Sequence, residues 1–143
     1  TAGALVARAG SGAELWLDGG HNPGAGVVIA EAMADLEDRV SRPLIVVAGM
    51  LNTKDPVGFL APFAGLARQL IAVPLPPDHA GRDPAELAGV ATRVGLTAST
   101  APSVRAALER IADTPRDVPP RVLICGSLYL AGTVLAENGT IPT

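Results

Sequence analysis

The sequence predicts an α/β domain built on a doubly wound, mostly parallel sheet in three layers. Three observations predict it. Apolar runs of strand length alternate along the chain with stretches of helical period. The runs are apolar throughout rather than alternating, as in strands covered on both faces. The links between them are rich in Gly and Pro, which suits many short turns between regular elements. About six strands are expected, one of them antiparallel at an edge.

The elements follow in order. "ALVARA" and "AELWLD" are short runs separated by "GSG", a hairpin signal, so the first of them should run against the rest of the sheet. "GAGVVIAEAMADLEDRV" reads as a helix with Val28, Ala32 and Leu36 on one face. "PLIVVAGM" is a buried-strand pattern. "DPVGFLAPFAGLA" is helical in register but interrupted by Pro62, which predicts a short or broken helix. "QLIAVP" is a strand. "DPAELAGVATRVG" is a helix with Asp83 as cap, Pro84 in the first turn, Glu86 three residues after the cap and Gly95 as terminator. "LTAST" is a weak strand, "SVRAALERIAD" a helix capped by Ser103, "RVLICGS" a strand, and "SLYLAGTVLAEN" a helix ended by Gly139.

Composition narrows the function classes. A length of 143 residues is enough for one domain with its own core. Only 3% of residues are aromatic, so Ala, Val, Leu and Ile must build that core. The net charge of −3, with no basic run, argues against sequence-blind nucleic-acid binding. A single Cys125 excludes an internal disulfide and offers no metal-ligand pair. There is no apolar run of about 18 residues to span a membrane, and no signal peptide is recognisable.

In an open α/β sheet, ligands bind outside the carboxyl ends of the strands. Three segments here end a strand and begin a helix with polar residues: "DGGHNPG", "GMLNTKDP" and "CGSLYLAG". They should lie along one edge of the sheet. In the first, Asp18 ends the strand, and Gly19 and Gly20 allow close approach of a ligand. His21 and Asn22 then stand at a helix start, where free N–H groups favour phosphate or carboxylate. An equally plain alternative makes Asp18 a turn former, Asn22 an N-cap and His21 a surface residue. In the second segment, Lys54, beside Asn52 and Thr53, offers a mobile positive charge to an anion, or sits in a solvated loop; Asp55 reads as the cap of the next helix. In the third, Ser127 reads first as an N-cap whose hydroxyl is also able to meet a ligand. "GSLYL" does not match the G-x-S-x-G elbow of hydrolases. Cys125 reads as a small buried apolar residue, and His79, in "VPLPPDHAGRDP", as exposed loop. The chain contains no G-x-x-x-x-G-K-[ST] phosphate loop, no fitting G-x-G-x-x-G and no metal-ligand cluster.

These same segments carry a family resemblance. "LWLDGGHNPGAG" resembles the D-G-A-H-N-P segment that opens the C-terminal domain of folylpolyglutamate synthase and dihydrofolate synthase. "GMLNTKD" is similar to the family's G-M-L-x-D-K-D, and "CGSLYLAGTVL" to its closing G-S-L-Y-L-A-G-E-V-L. The three stand in family order and span residues 15 to 135. The Mur ligases carry a looser version, D-Y-A-H-N-P, and the "GSLYLAG" ending points to the folate branch.

The resemblance implies a single Rossmann-like domain over 1–143, the C-terminal domain of a Mur-type ligase, with the family's N-terminal ATPase domain absent from this chain. It implies a whole enzyme in which ATP phosphorylates a carboxylate of dihydropteroate or a folate. The amine of L-glutamate then attacks the acyl phosphate, with Mg²⁺ held by the partner domain. Catalysis of this type is positioning plus charge stabilisation. By the same resemblance Asp18 lies toward the ribose or adenine and Asn22 caps the helix and fixes the loop; with Lys54, the mobile charge of the second segment, they form the expected cofactor set. His21 is the catalytic residue, facing the phosphates and the incoming glutamate, and Ser127 lies near the glutamate site. No metal ligand falls in this chain, the isolated domain is expected to be inactive, and the setting is expected to be cytoplasmic. Some positions depart from the family pattern. Gly20 stands where Ala is usual, which is expected to loosen the loop. Thr133 stands where Glu is usual, and Arg8 is not in clear register with the family's upstream nucleotide-contacting Arg. A Mur-type cell-wall ligase domain, or a non-catalytic nucleotide- or anion-binding module, are the alternative readings.

Overall fold

The structure, a computed structural model, describes residues 13–52, 54–76, 80–127 and 130. The elements are β1 (Glu14–Leu17), α1 (Pro23–Arg39), β2 (Leu44–Ala48), α2 (Pro56–Leu60), β3 (Gln69–Ala72), α3 (Pro84–Arg93), β4 (Ala98–Thr100), α4 (Val104–Asp113) and β5 (Arg121–Cys125). A 3-10 turn, Ala61–Phe63, continues α2, so the break expected at Pro62 is present. Three of the helices start alike: Asn22, Asp55 and Asp83 each accept a first-turn N–H, and each is followed by Pro. The cap satisfies an orphan donor, and Pro has none to leave unpaired. Gly95, at φ +103°, ends α3 in a conformation open to glycine.

The sheet order is β1-β5-β2-β3-β4, and every pairing between these described strands is parallel. Five strands are therefore described against about six expected. The antiparallel strand expected over residues 4–9 lies outside the described residues, as does the last helix apart from Leu130. In β2 the period of two divides the core. Leu44, Val46 and Ala48 face a cluster with Ile29 and Met33 of α1, Phe59 of α2 and Leu87 of α3. Ile45 and Val47 face Val104, Leu108 and Ile111 of α4, with Leu130. Each fully buried side chain of this size contributes about 1.5–3 kcal/mol. The chain moves along the sheet with α1, α2 and α3 on one face and returns through α4 on the other, as right-handed crossovers require.

The inward face of α1 differs from the one expected. Gly26, Ile29, Ala30 and Met33 are buried, whereas Val28 is 66% exposed and Ala32 is exposed. Packing against α2 decides this. Gly26 lies so close to Phe59 that a Cβ there would overlap the Phe59 carbonyl, and a Cβ on Gly58 would lie 2.6 Å from Pro23. A smooth glycine surface, and not the largest apolar residue, marks the contact face.

Where the strands begin, charged side chains close the sheet. Arg121, 2% exposed, donates from Nε to Glu14 at 2.8 Å and from Nη2 to the Val40 carbonyl at 3.0 Å. Arg42 Nε stands 3.3 Å from the other Glu14 oxygen. The Arg121 hydrogen bond holds the Glu14 carboxyl below its ordinary range.

Candidate functional site

Parallel strands release their chain at one edge, so the ends of β1, β2 and β5 lie side by side. The helices after β1 and β2 pack on one face, while Leu130, after β5, packs on the other. Such a change of face opens the crevice where α/β sheets bind ligands. The loops there are joined directly. The Asp18 N–H donates to the Ile124 carbonyl at 3.0 Å, the Gly126 N–H to the Gly20 carbonyl at 3.0 Å, and the Gly49 N–H to the Cys125 carbonyl at 3.3 Å.

Glycine makes this junction possible at Gly126. Its φ is +101°, and an added Cβ would lie 2.6 Å from the Gly49 carbonyl oxygen. Gly20 is also tight. A Cβ there would lie 2.8 Å from Ala25 Cβ and 2.9 Å from Ile29 Cδ1, so the glycine seats the loop against α1 and does not loosen it as expected.

Within the first loop, Asp18 Oδ1 accepts the Gly20 N–H at 2.7 Å, an Asx turn. The residue is exposed, and its other carboxylate oxygen makes no hydrogen bond among the described residues. His21 is half-buried, with Nδ1 3.3 Å from the Gly19 carbonyl. Asn22 Oδ1 accepts the Ala25 N–H at 2.8 Å, and its carbonyl accepts the Gly26 N–H at 3.0 Å. The attraction of this helix start for anions therefore rests on the Gly24 N–H and the helix dipole. The local turn and cap roles of Asp18 and Asn22 are both present, in the same loop as the half-buried His21.

Ser127 is 3% exposed and directly follows the Gly126–Gly20 contact. Residues 128 and 129, at the start of the helix it is expected to cap, lie outside the described residues, as do His79, Thr53, Arg8 and Thr133. Burial pushes the Cys125 thiol well above its ordinary range, and the nearby Asp18 charge adds to the shift. That suits the apolar strand residue expected and not a nucleophile.

Lys54 stands one strand further along the same edge and is half-buried. Among the described residues, no hydrogen bond or ion pair joins it to Asp18. Asp55 caps α2 through Gly58 at 3.2 Å, as expected. The loop depends on a residue that sequence reasoning passed over. Arg82 Nη2 donates to the Asn52 and Lys54 carbonyls at 3.0 and 2.8 Å. Glu86 pairs with Arg82 and does not return to the cap of α3. The available signal was the Arg–Glu spacing of four residues at a helix start.

A cleft of about 580 Å³ lies at the opposite edge, lined in part by Glu37, Arg42, Arg68 and Arg116. Its polar groups face inward: Glu37 accepts from Ser41 and the Arg42 N–H, and Arg116 donates to the Ile111 and Thr114 carbonyls at the end of α4. It closes the frame and lies away from the strand ends. Among the described residues, no group of three His, Cys, Asp or Glu is placed to hold a metal ion. No described helix is long and apolar enough to cross a membrane.

Solved structures share this fold. The chain matches folylpolyglutamate synthase from Mycobacterium tuberculosis complexed with ADP at 25% identity and a TM-score of 0.75, over 90% of this chain and 30% of that one. It matches the bifunctional folylpolyglutamate synthase/dihydrofolate synthase from Yersinia pestis complexed with AMPPNP and Mn ion at 26% identity and a TM-score of 0.67, over 85% of this chain and 28% of that one. A bifunctional enzyme with Mn, AMPPNP and L-glutamate bound matches at 26% identity and a TM-score of 0.66, over 85% of this chain and 28% of that one. The chain thus spans under a third of the length of these structures. No curated protein sequence matches it. The profile described as dihydrofolate synthetase, C-terminal domain, matches residues 4–137. That match takes in nearly the whole chain, which therefore belongs to the family of dihydrofolate synthetase C-terminal domains.

Proposed function

We propose that this domain completes an ATP-dependent ligase that joins L-glutamate to dihydropteroate or a folate. The observation that carries the reading is the main-chain junction of the β1 and β5 ends at the change of helix face, which sets the loop bearing Asp18 and His21 against the turn that precedes Ser127. Family membership supports it, as do the ADP, AMPPNP and L-glutamate bound by the matched structures. The domain is read as one unit over 1–143, and its partner is an N-terminal ATPase domain of the same enzyme.

In this reading ATP phosphorylates a carboxylate of dihydropteroate or a folate, and the glutamate amine displaces phosphate to form the amide. Mg²⁺ offsets charge on the transferred phosphoryl group and is held mainly by the ATPase domain. The described residues offer no carboxylate cluster of their own for it. Asp18 accepts from the nucleotide with the oxygen that the Gly20 turn leaves over. His21 faces the phosphates and the incoming glutamate. Asn22 acts on the cofactor through the loop it caps, and Lys54 provides a positive charge toward the nucleotide. Ser127 hydrogen-bonds glutamate from the buried turn after β5.

Steady-state kinetics on the assembled ligase, varying ATP and glutamate separately, test these roles. Asp18→Ala should raise the KM for ATP by the loss of a hydrogen bond to a charged acceptor, about 1.5–3 kcal/mol. His21→Ala should lower kcat or raise the KM for glutamate. Unchanged constants in both variants would leave the loop a turn and cap only, and would favour a non-catalytic module. The domain alone should release no phosphate and incorporate no glutamate; turnover by the domain alone would refute the reading of it as part of a larger enzyme.

A further inference from the structure

We infer that Arg82 is the positioning residue of the loop that carries Lys54. This rests on the reading of Lys54 as a nucleotide contact. The loop turns through a bond from the Lys54 N–H to the Leu51 carbonyl, and its carbonyls at Asn52 and Lys54 converge on one guanidinium nitrogen of Arg82. The main chain reinforces the grip. The Arg82 N–H donates to the Met50 carbonyl at 2.7 Å, the Asn52 N–H to the Ala80 carbonyl at 2.9 Å, and Leu51 bridges Gly81.

The other end of the guanidinium is held by Glu86, in the first turn of α3. Its Nε is buried without a hydrogen-bond partner, so the fork is oriented by the two carbonyls and Glu86 rather than by full pairing of its own donors. Arginine suits the task because a rigid planar fork serves several acceptors at once, which a lysine point charge does not. The consequence is mechanical. Lys54 sits on a loop locked to the start of α3, a segment 28 residues away in sequence, so its backbone is placed before any nucleotide arrives.

Amide hydrogen exchange on this chain reads the clamp without any activity. Arg82→Gln should speed exchange at Asn52 and Lys54 roughly tenfold or more while leaving the β5 amides unchanged. Arg82→Lys should recover only part of the protection. Unchanged exchange at the two loop amides, or equal acceleration throughout the sheet, would overturn the positioning role. In the assembled ligase, Arg82→Gln should raise the KM for ATP, and adding it to Lys54→Ala should have no further effect, because the two act as one unit. Independent, additive effects would also overturn the inference. A normal KM in Lys54→Ala alone would instead remove the nucleotide role of Lys54, and the exchange measurement would still decide whether Arg82 clamps the loop.

Discussion

The two ends of this sheet solve opposite problems with similar residues. Where the strands begin, Arg121, Glu14 and Arg42 bind one another and lock the register of β1, β5 and the end of α1. Where they finish, Asp18 and Asn22 bind nearby main chain, and among the described residues Asp18 keeps a carboxylate oxygen uncommitted. Long-range ion pairs lock one edge, and short local turns shape the other. The difference teaches that a charged residue is read by its partner and not by its type. Arg121 is an internal strut, while Lys54 is half-exposed on a loop that other groups hold.

Gly126→Ala should have the largest effect, because the finishing edge depends on backbone contact. Its φ of +101° strains any side chain, and the new Cβ would press on the Gly49 carbonyl. We expect a loss of about 3 kcal/mol in urea unfolding. A variant of native stability would mean that the β5 and β2 turns are not in contact. Glu14→Gln comes next, at about 1–2 kcal/mol, because Arg121 would lose a charged acceptor while Glu14 itself is partly solvated. Here the acid dependence sharpens the contrast. Arg121 lowers the folded-state pKa of Glu14 from 4.5, so this stabilisation is full above that value and fades as pH falls through the folded-state value. Urea midpoints taken between about pH 6 and 3 should converge for the native chain and Glu14→Gln; a constant gap would remove the ion pair from the account. Asn22→Ala should cost about 1 kcal/mol as a lost cap, seen in the thermal midpoint. Lys54→Ala should change stability by less than about 0.5 kcal/mol. A larger loss would place Lys54 with the structural charges of the other edge.

What was legible in the sequence was local or periodic. The unbroken run Leu44–Ala48 reads as a doubly covered strand, and Asn22-Pro23, Asp55-Pro56 and Asp83-Pro84 announce helix starts, because the chemistry lies within a few residues. The common edge of Asp18, Lys54 and Ser127 followed from the parallel pattern alone. What was not legible depended on distant partners. Val27, Val28, Ile29 and Ala30 are consecutive and apolar, so only the approach of α2 at Gly26 selects which of them turn inward. The clamp on Lys54 needs carbonyls about 30 positions from Arg82. Nothing in any one strand records that β5 is inserted between β1 and β2.

That insertion sets an order of assembly. A residue at the start of β1 meets its Arg121 partner 107 positions later, whereas β2, β3 and β4 are neighbours both in sequence and in the sheet. As the chain leaves the ribosome, β2, β3 and β4 are able to associate at once, while among the described strands β1 has no partner but β5. Until β5 arrives, two apolar edges stand open, the condition in which growing chains pair wrongly or aggregate. Closing the sheet with its penultimate-position strand also raises the contact order, and slows folding relative to a sheet laid down in sequence. The strand that brings Gly126 and Ser127 to the crevice is thus also the one that seals the fold, so the crevice forms only when the described sheet is complete.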